Sequence, residues 1–457
     1  MPERPADYVG VRVPMDVGRR RYAPAVSMTW SAEQVLALAP DASSVAAGRK
    51  LATPGPWQST GATSGAVWGL CSGSGKNPYV TVVDLTGPAH SCSCPSRKFP
   101  CKHALALLLL WAGGQVPAAD GPADFAQAWL AGRAERAARP ARTDKPVDEA
   151  ASRKRAEQRA DRVAAGVAEL ERWLHDQVTH GLAGADRRGY RQFEQVATRL
   201  VDAQAPGLAE SVRRLGGVAA SGDGWPARLL DELALLHVLA DAATRLDDLP
   251  EALGAVVRRR IGFPTRTQDV LASPGQRDTW AVLAVTDSTE GRLAVRRAHV
   301  HGQTSGRDAV VVSFAAGGQP LDASLLPGTV VDADAHTYPG DPSRVLLGAR
   351  HAEPAALVAP PSGASVRAAA HAWARCLTDD PWATSVPLTL GPVHVGIDEH
   401  TGAWVQDESG RVPVVPGAEP WTALAVSGGQ PVLLAVDWSP RGVAPRAVWF
   451  ERELVAL

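Results

Sequence analysis

The stretch His90-Ser91-Cys92-Ser93-Cys94-Pro95-Ser96-Arg97-Lys98-Phe99-Pro100-Cys101-Lys102-His103 constrains this chain more than any other. Cys92, Cys94, Cys101 and His103 follow the spacing C-x-C, six residues, C-x-H. Three thiolates and one imidazole make a soft donor set that suits a tetrahedral Zn²⁺ ion, with metal–sulfur bonds of about 2.3 Å and a metal–nitrogen bond of about 2.0–2.1 Å. Four protein ligands close the coordination sphere and leave no position for an activated water. The spacing therefore points to one structural ion and away from zinc catalysis. Packing alone accounts poorly for three cysteines in this segment with a histidine two positions on, although cysteine is a common core residue. A disulfide within the cluster is the rival reading. The chain's other cysteines are Cys71 and Cys376, so no secreted disulfide framework is visible. An iron–sulfur cluster prefers four thiolates, and here the fourth ligand is His103.

The pattern C-x-C-x6-C-x-H, running directly into an apolar helix, resembles the SWIM-type zinc finger. The lead-in Trp68-Gly69-Leu70-Cys71-Ser72-Gly73-Ser74-Gly75-Lys76-Asn77-Pro78-Tyr79, followed by Val80 to Leu85, is similar to that of bacterial members of the family. The resemblance implies two strands and a helix around one zinc, with Cys92, Cys94, Cys101 and His103 as ligands. It also implies a role in binding nucleic acid or other proteins, without catalysis.

The local sequence agrees with that outline. Ala66 to Cys71 and Tyr79 to Leu85 read as strands, the second alternating and β-branched, and the Gly- and Ser-rich Ser72 to Pro78 reads as the hairpin turn between them. Cys101 and His103 fall in the first turn of a helix that ends before Gly113-Gly114. Every residue from Ala104 to Trp111 is apolar, so this helix is expected to be buried on more than one side, inside a larger domain. Trp57 and Trp68 are expected to anchor against it. Gly73-Ser74-Gly75-Lys76 imitates the end of a phosphate-binding loop, but position 70 is Leu where that motif needs Gly, and Asn77 stands where it needs Ser or Thr.

The 457-residue chain as a whole reads as α+β and multidomain: a zinc-finger ββα unit within an N-terminal domain, a central helical bundle and an antiparallel β-rich C-terminal half. The expected divisions are 1–138 for the zinc-finger domain, 139–147 for a Pro- and charge-rich linker, 148–263 for the bundle, 264–358 for an antiparallel β domain, and 359–457 for a second β-rich domain with one helix. In the bundle, Val163, Val167, Leu170, Leu174 and Val178 form one amphipathic stripe and Tyr190, Phe193, Val196 and Leu200 another. The basic start of the first of these helices reads as a solvated, ion-paired face before a phosphate-contacting one. Beyond Pro264 the period shifts towards two, which predicts a small barrel or sandwich, then a second set of strands that includes Trp421 to Val426. Arg296, Arg297, His299 and His301 read as an ordinary solvent face before a binding groove.

Composition bounds the function. A net charge of −1 and a pI near 6.9 mean that any affinity for nucleic acid must come from a local patch. From His90 to Trp111 the cations Arg97, Lys98 and Lys102 stand without an acidic residue, giving a local charge of about +2 once a Cys₃His zinc core is counted. The polar first ten residues and the absence of a long apolar run predict a cytoplasmic protein with no membrane partner. No G-x-S-x-G, H-E-x-x-H or dinucleotide fingerprint is present, so no enzyme activity, catalytic residue or small-molecule substrate is expected. The leading expectation is a zinc-dependent adaptor for a protein partner, and the alternative is DNA binding through the finger.

Overall fold

The computed structural model describes residues 30–138 and 149–457, apart from positions 31, 40–41, 74, 76, 86–88, 97, 99, 183, 186–188, 291–292, 317–320, 401, 419 and 452. The N-terminal arm, the linker at 139–147 and the finger residue Arg97 lie outside the described residues. None of the described helices is long and apolar enough to cross a membrane.

The N-terminal unit is a four-stranded antiparallel meander, β1 (Trp57–Ala62), β2 (Ala66–Cys71), β3 (Tyr79–Asp84) and β4 (Ala89–Cys92), in that order. Helices α1 (Ala32–Ala37), α2 (Ala42–Leu51) and α3 (Lys102–Ala112) cover one face. Ala104 to Leu108 of α3 are all buried, because the helix lies between the sheet and α1–α2. Gly48 of α2 makes that packing possible: a Cβ there would stand 3.0 Å from Leu105 Cβ. Trp57 packs into this core as expected. Trp68 does not. Side chains alternate across a strand, and Trp68 points to the opposite face, where it meets Val82 and Ala126 of α4 (Asp124–Ala138).

The bundle comprises α5 (Glu149–His180), α6 (Arg191–Asp202), α7 (Pro206–Ala219), α8 (Trp225–Thr244) and α9 (Glu251–Ile261). Val163, Val167, Leu170 and Leu174 of α5 meet Phe193, Val196 and Leu200 of α6 in one core. The two stripes are shorter than their period suggests: Val178 is 63% exposed, one turn from the helix end at Gly181, and Tyr190 is 61% exposed, lying across Gly216. Arg159 is structural, donating from Nη2 to the carbonyls of Gln204 and Gly262 and lying 5.2 Å from the ring centre of Phe263.

After α10 (Thr267–Leu271) come β5 (Gly275–Glu290), β6 (Leu293–Gly302), β7 (Asp308–Ala316), β8 (Thr329–Tyr338), β9 (Asp341–Arg350) and the two-residue β10 (Ala355–Ala356). The sixteen-residue β5 pairs with β6 along one part and β8 along the other, and β9 fills the gap between β7 and β8. The result is a closed barrel around Trp280, Val282, Ala298, Val300, Val331 and Val345. It departs from the expected all-antiparallel pairing at one place: β7 and β9 run parallel, with Val310 opposite Arg344.

The last sheet has the order β13-β12-β11-β14-β15-β16 and is antiparallel throughout, from β11 (Val386–Asp398), β12 (Gly402–Asp407), β13 (Gly410–Pro413), β14 (Val432–Ser439), β15 (Gly442–Phe450) and β16 (Glu453–Ala456). The helix α11 (Val366–Asp379) packs on it. Trp421 to Val426 is not a strand but part of α12 (Trp421–Ser427). Pro420 before it and Gly428 after it, at φ +55°, bound a short helix, and burial of Ala423 and Ser427 follows a four-residue step. Trp421 is left 64% exposed. The barrel packs on this sheet through Ala281, Leu283 and Ala284, which meet Ala435, Ala447 and Trp449.

Candidate metal centre

The four ligands arrive from three local structures. Cys92 ends β4, Cys94 follows in the turn, Cys101 is the N-cap of α3 with extended φ and ψ of −74° and 166°, and His103 lies in the first turn of α3. Their donor atoms all lie within 4.8 Å of one another. Cys92 Sγ is 3.6 Å from His103 Nδ1. A tetrahedral zinc with the bond lengths given above sets sulfur–nitrogen separations of about 3.6 Å and sulfur–sulfur separations of about 3.8 Å. The four residues therefore fit one structural Zn²⁺ ion, which His103 would hold through Nδ1, the ring nitrogen that faces Cys92 Sγ.

Two residues that the sequence did not single out hold the site from β3. Thr81 is fully buried opposite Cys92 in the strand pairing, with Oγ1 3.4 Å from Cys92 Sγ. Tyr79 stacks on the His103 ring, with centroids 4.7 Å apart. Both point to one side of β3, two residues apart, so the strand's period carried the signal. The turn is tied back by Ser93, whose N–H donates to Val80 O at 3.0 Å while its hydroxyl accepts from Val80 N–H at 2.9 Å.

Hydrogen bonding from the Cys101 thiol, assisted by His103 and Thr81, pushes Cys92 down to about 3 despite its burial. The neighbouring Cys92 sulfur and burial hold Cys101 well above the ordinary thiol range, and burial raises Cys94. One thiolate is thus favoured in the protein alone. A bound divalent cation supplies the charge that lets all three cysteines ionise.

Cys101 and His103 are buried while Cys92 and Cys94 are half-buried, so the ion would sit under the sheet edge and not at an open cleft. Among the described residues this is the one Cys/His group of such geometry. His299 and His301 of β6, read from the sequence as a solvent face, are instead buried against the last sheet: His299 Nε2 is 3.5 Å from Asp437, and His301 Nδ1 is 2.8 Å from Asp308. The carboxylate of Asp308 also accepts from Thr389 N–H at 2.9 Å, so these histidines serve the seam between barrel and sheet. Arg296 and Arg297 beside them pair with Asp287 and Glu290.

A closed Cys₃His set joining a β-ribbon to the first turn of a helix defines a structural zinc finger. Residues 81–112 match the SWIM zinc finger, and residues 158–261, within α5–α9, match the SWIM-associated four-helix bundle domain. The chain carries both. No curated protein and no solved structure matches it.

Proposed function

We propose that this protein is a non-enzymatic adaptor, in which the zinc finger makes the N-terminal unit rigid and the rest of the chain presents a surface to a protein partner. The observation that carries this reading is an exposed apolar row on α8 of the bundle: Leu230, Leu235 and Val238. Such a row on an otherwise polar face marks a contact surface. It borders a cleft of about 510 Å³ lined by Leu215, Leu235 and Trp382, with Arg214, Arg228 and Arg441 around it. The test is affinity capture with wild type, Leu230→Asp/Val238→Asp and Cys101→Ser. A partner captured by wild type and lost by the α8 variant is the expected result. Identical partner lists for all three would sink the adaptor reading.

A second reading, nucleic-acid binding through the finger, draws on the absence of any acidic residue from His90 to Trp111 and on the exposed Lys102. Lys98 of the same patch is already engaged, donating from Nζ to Ser43 Oγ of α2 at 2.9 Å. A salt titration of DNA binding by Lys102→Ala against wild type tests it, because loss of a phosphate contact reduces the salt slope. Both readings place the protein in the cytoplasm, where thiolates stay reduced.

A further inference from the structure

The barrel's strand order is β5-β6-β7-β9-β8 and back to β5, with its single parallel pair between β7 and β9. This is the five-stranded Greek-key arrangement of the OB-fold, whose outer face on the second and third strands takes oligonucleotides or oligosaccharides. Topology alone assigns no function; the side chains on that face decide what it can bind.

That outer face is divided. At the Asp308 end it is covered by the last sheet, through the Asp308–Thr389 and His299–Asp437 contacts. Phe314 lies six residues along β7, about 20 Å away at strand spacing, and is 50% exposed. Arg344 of β9 lies beside it. Its guanidinium carbon is 4.0 Å from the ring centre of Tyr338 and 5.6 Å from that of Phe314. Among the described residues it makes no ion pair, and its Nε is buried with no hydrogen-bond partner. Arg307 adjoins the β8–β9 hairpin, which carries Tyr338 and Arg344. It donates from Nη2 to Thr337 Oγ1 at 2.9 Å and to Pro342 O at 2.8 Å, with no carboxylate within ion-pair distance among the described residues. Of the other barrel arginines, Arg277 and Arg296 are each paired to an aspartate and Arg297 to Glu290, while Arg350 at the end of β9 donates to Ser324 Oγ at 2.9 Å. Asp341, the carboxylate nearest to Arg344 in sequence, is turned towards Arg259 at 3.4 Å, and Asp308, next to Arg307, is engaged by His301 and Thr389. The Arg344 guanidinium, without counter-charge, thus stands beside an exposed ring, and Arg307 lies further along the face, against Thr337 and Pro342.

We propose that the β7–β9 face of the barrel binds single-stranded nucleic acid, with a base stacked on Phe314 and a backbone phosphate held by Arg344, and with Arg307 as a neighbouring cation. A stacking ring next to a free cation is the arrangement that sequence-tolerant single-strand binders use. Duplex would fit poorly, because its bases are not free to reach Phe314. The site is separate from the finger and from the apolar row on α8, and it depends on neither reading above.

The test uses full-length, zinc-loaded protein and fluorescent oligo-dT and oligo-rU of about 20 nucleotides, longer than one such barrel occupies. A duplex of the same length and poly-glutamate serve as competitors. Wild type is expected to bind a single strand with salt-dependent affinity, and the preference between dT and rU identifies the natural strand. Phe314→Ala and Arg344→Ala are each expected to weaken binding about tenfold. Arg344→Ala should also lower the log–log salt slope by about 0.7. Phe314→Tyr, which keeps the ring, should retain binding. Thermal melting of each variant separates lost contacts from lost fold. The proposal is overturned if wild type shows no salt-dependent single-strand binding, or if folded Phe314→Ala and Arg344→Ala bind like wild type. It is equally overturned if duplex or poly-glutamate competes as well as the single strand, the latter pointing to an acidic protein ligand.

Discussion

Arg260 donates from Nε to Asp380 Oδ1 at 3.2 Å, and the same carboxylate also takes Arg259. Asp380 directly follows α11, is nearly fully buried, and holds the end of α9 against the C-terminal half. Arg259 has a second carboxylate, Asp341, but Arg260 pairs only with Asp380 among the described residues. Removing a buried carboxylate leaves cations without compensation, which costs about 3–5 kcal/mol when burial is complete. Both arginines are partly exposed, so Asp380→Ala is expected to cost about 3 kcal/mol. Urea unfolding followed by tryptophan fluorescence measures it, and a midpoint equal to wild type would remove Asp380 from any role in joining the two parts.

Thr81 gives the zinc site a test that spares the ligands. Groups contacting a metal ligand commonly change metal affinity by about 10–100-fold. Thr81→Val keeps the shape and deletes the hydroxyl beside Cys92 Sγ, so zinc affinity, read by competition with a chromogenic chelator, is expected to fall within that range. Cys101→Ser is expected to lose the ion altogether, from one zinc per chain to none by elemental analysis, and to release α3 from β4. A chain that carries one zinc after Cys101→Ser would mean that the four residues do not share an ion.

The finger was legible because its determinants are local: four ligands and an apolar helix within about two dozen residues. What lay hidden depends on distant chain. His299 and His301 resemble a polar strand face until β11 and β14 arrive, more than 80 residues later, and cover them. The side on which Trp68 lands is fixed by α4, since both faces of this sheet are covered and both read as apolar. Trp421 to Val426 carries strand-forming residues, yet Pro420 and Gly428 leave room for one short helix. The parallel β7–β9 pair could not be read at all, because pairing between strands separated by a third is a property of the closed barrel.

His299 predicts a pH dependence. Burial lowers its pKa, outweighing the raising effect of Asp437, which is itself engaged by Arg446 at 2.8 Å; Asp308 and Arg297 also face it, with opposite effects. The imidazole is therefore neutral in the folded chain at a pH where the unfolded chain already takes up a proton. Its contribution is fully present above the unfolded value of about 6.5 and is lost as pH falls below it, by up to about 1.4 kcal/mol per pH unit. Unfolding free energy measured from pH 7.5 to 5.5 should fall less steeply in His299→Gln than in wild type. Parallel curves would show that the buried ring does not titrate differently from the unfolded one.

Gly207 and Gly262 set the closest approach inside the bundle. A Cβ on Gly207 would stand 2.2 Å from the carbonyl oxygen of Arg260, and one on Gly262, at φ +106°, 2.7 Å from Gly207 N. These neighbours are backbone and cannot rotate away, so Gly207→Ala must push the start of α7 off the end of α9, at a cost of about 1–3 kcal/mol. The displaced residue, Arg260, is the one whose side chain reaches Asp380. The two changes should therefore not add. Once Gly207→Ala has shifted Arg260, deleting the Asp380 carboxylate removes a contact already weakened, and a double-mutant cycle in urea is expected to give a coupling of about 0.5–3 kcal/mol. Strict additivity would mean that the α9 end moves as a rigid piece with the C-terminal half, and that the strain from Gly207→Ala is absorbed within α7.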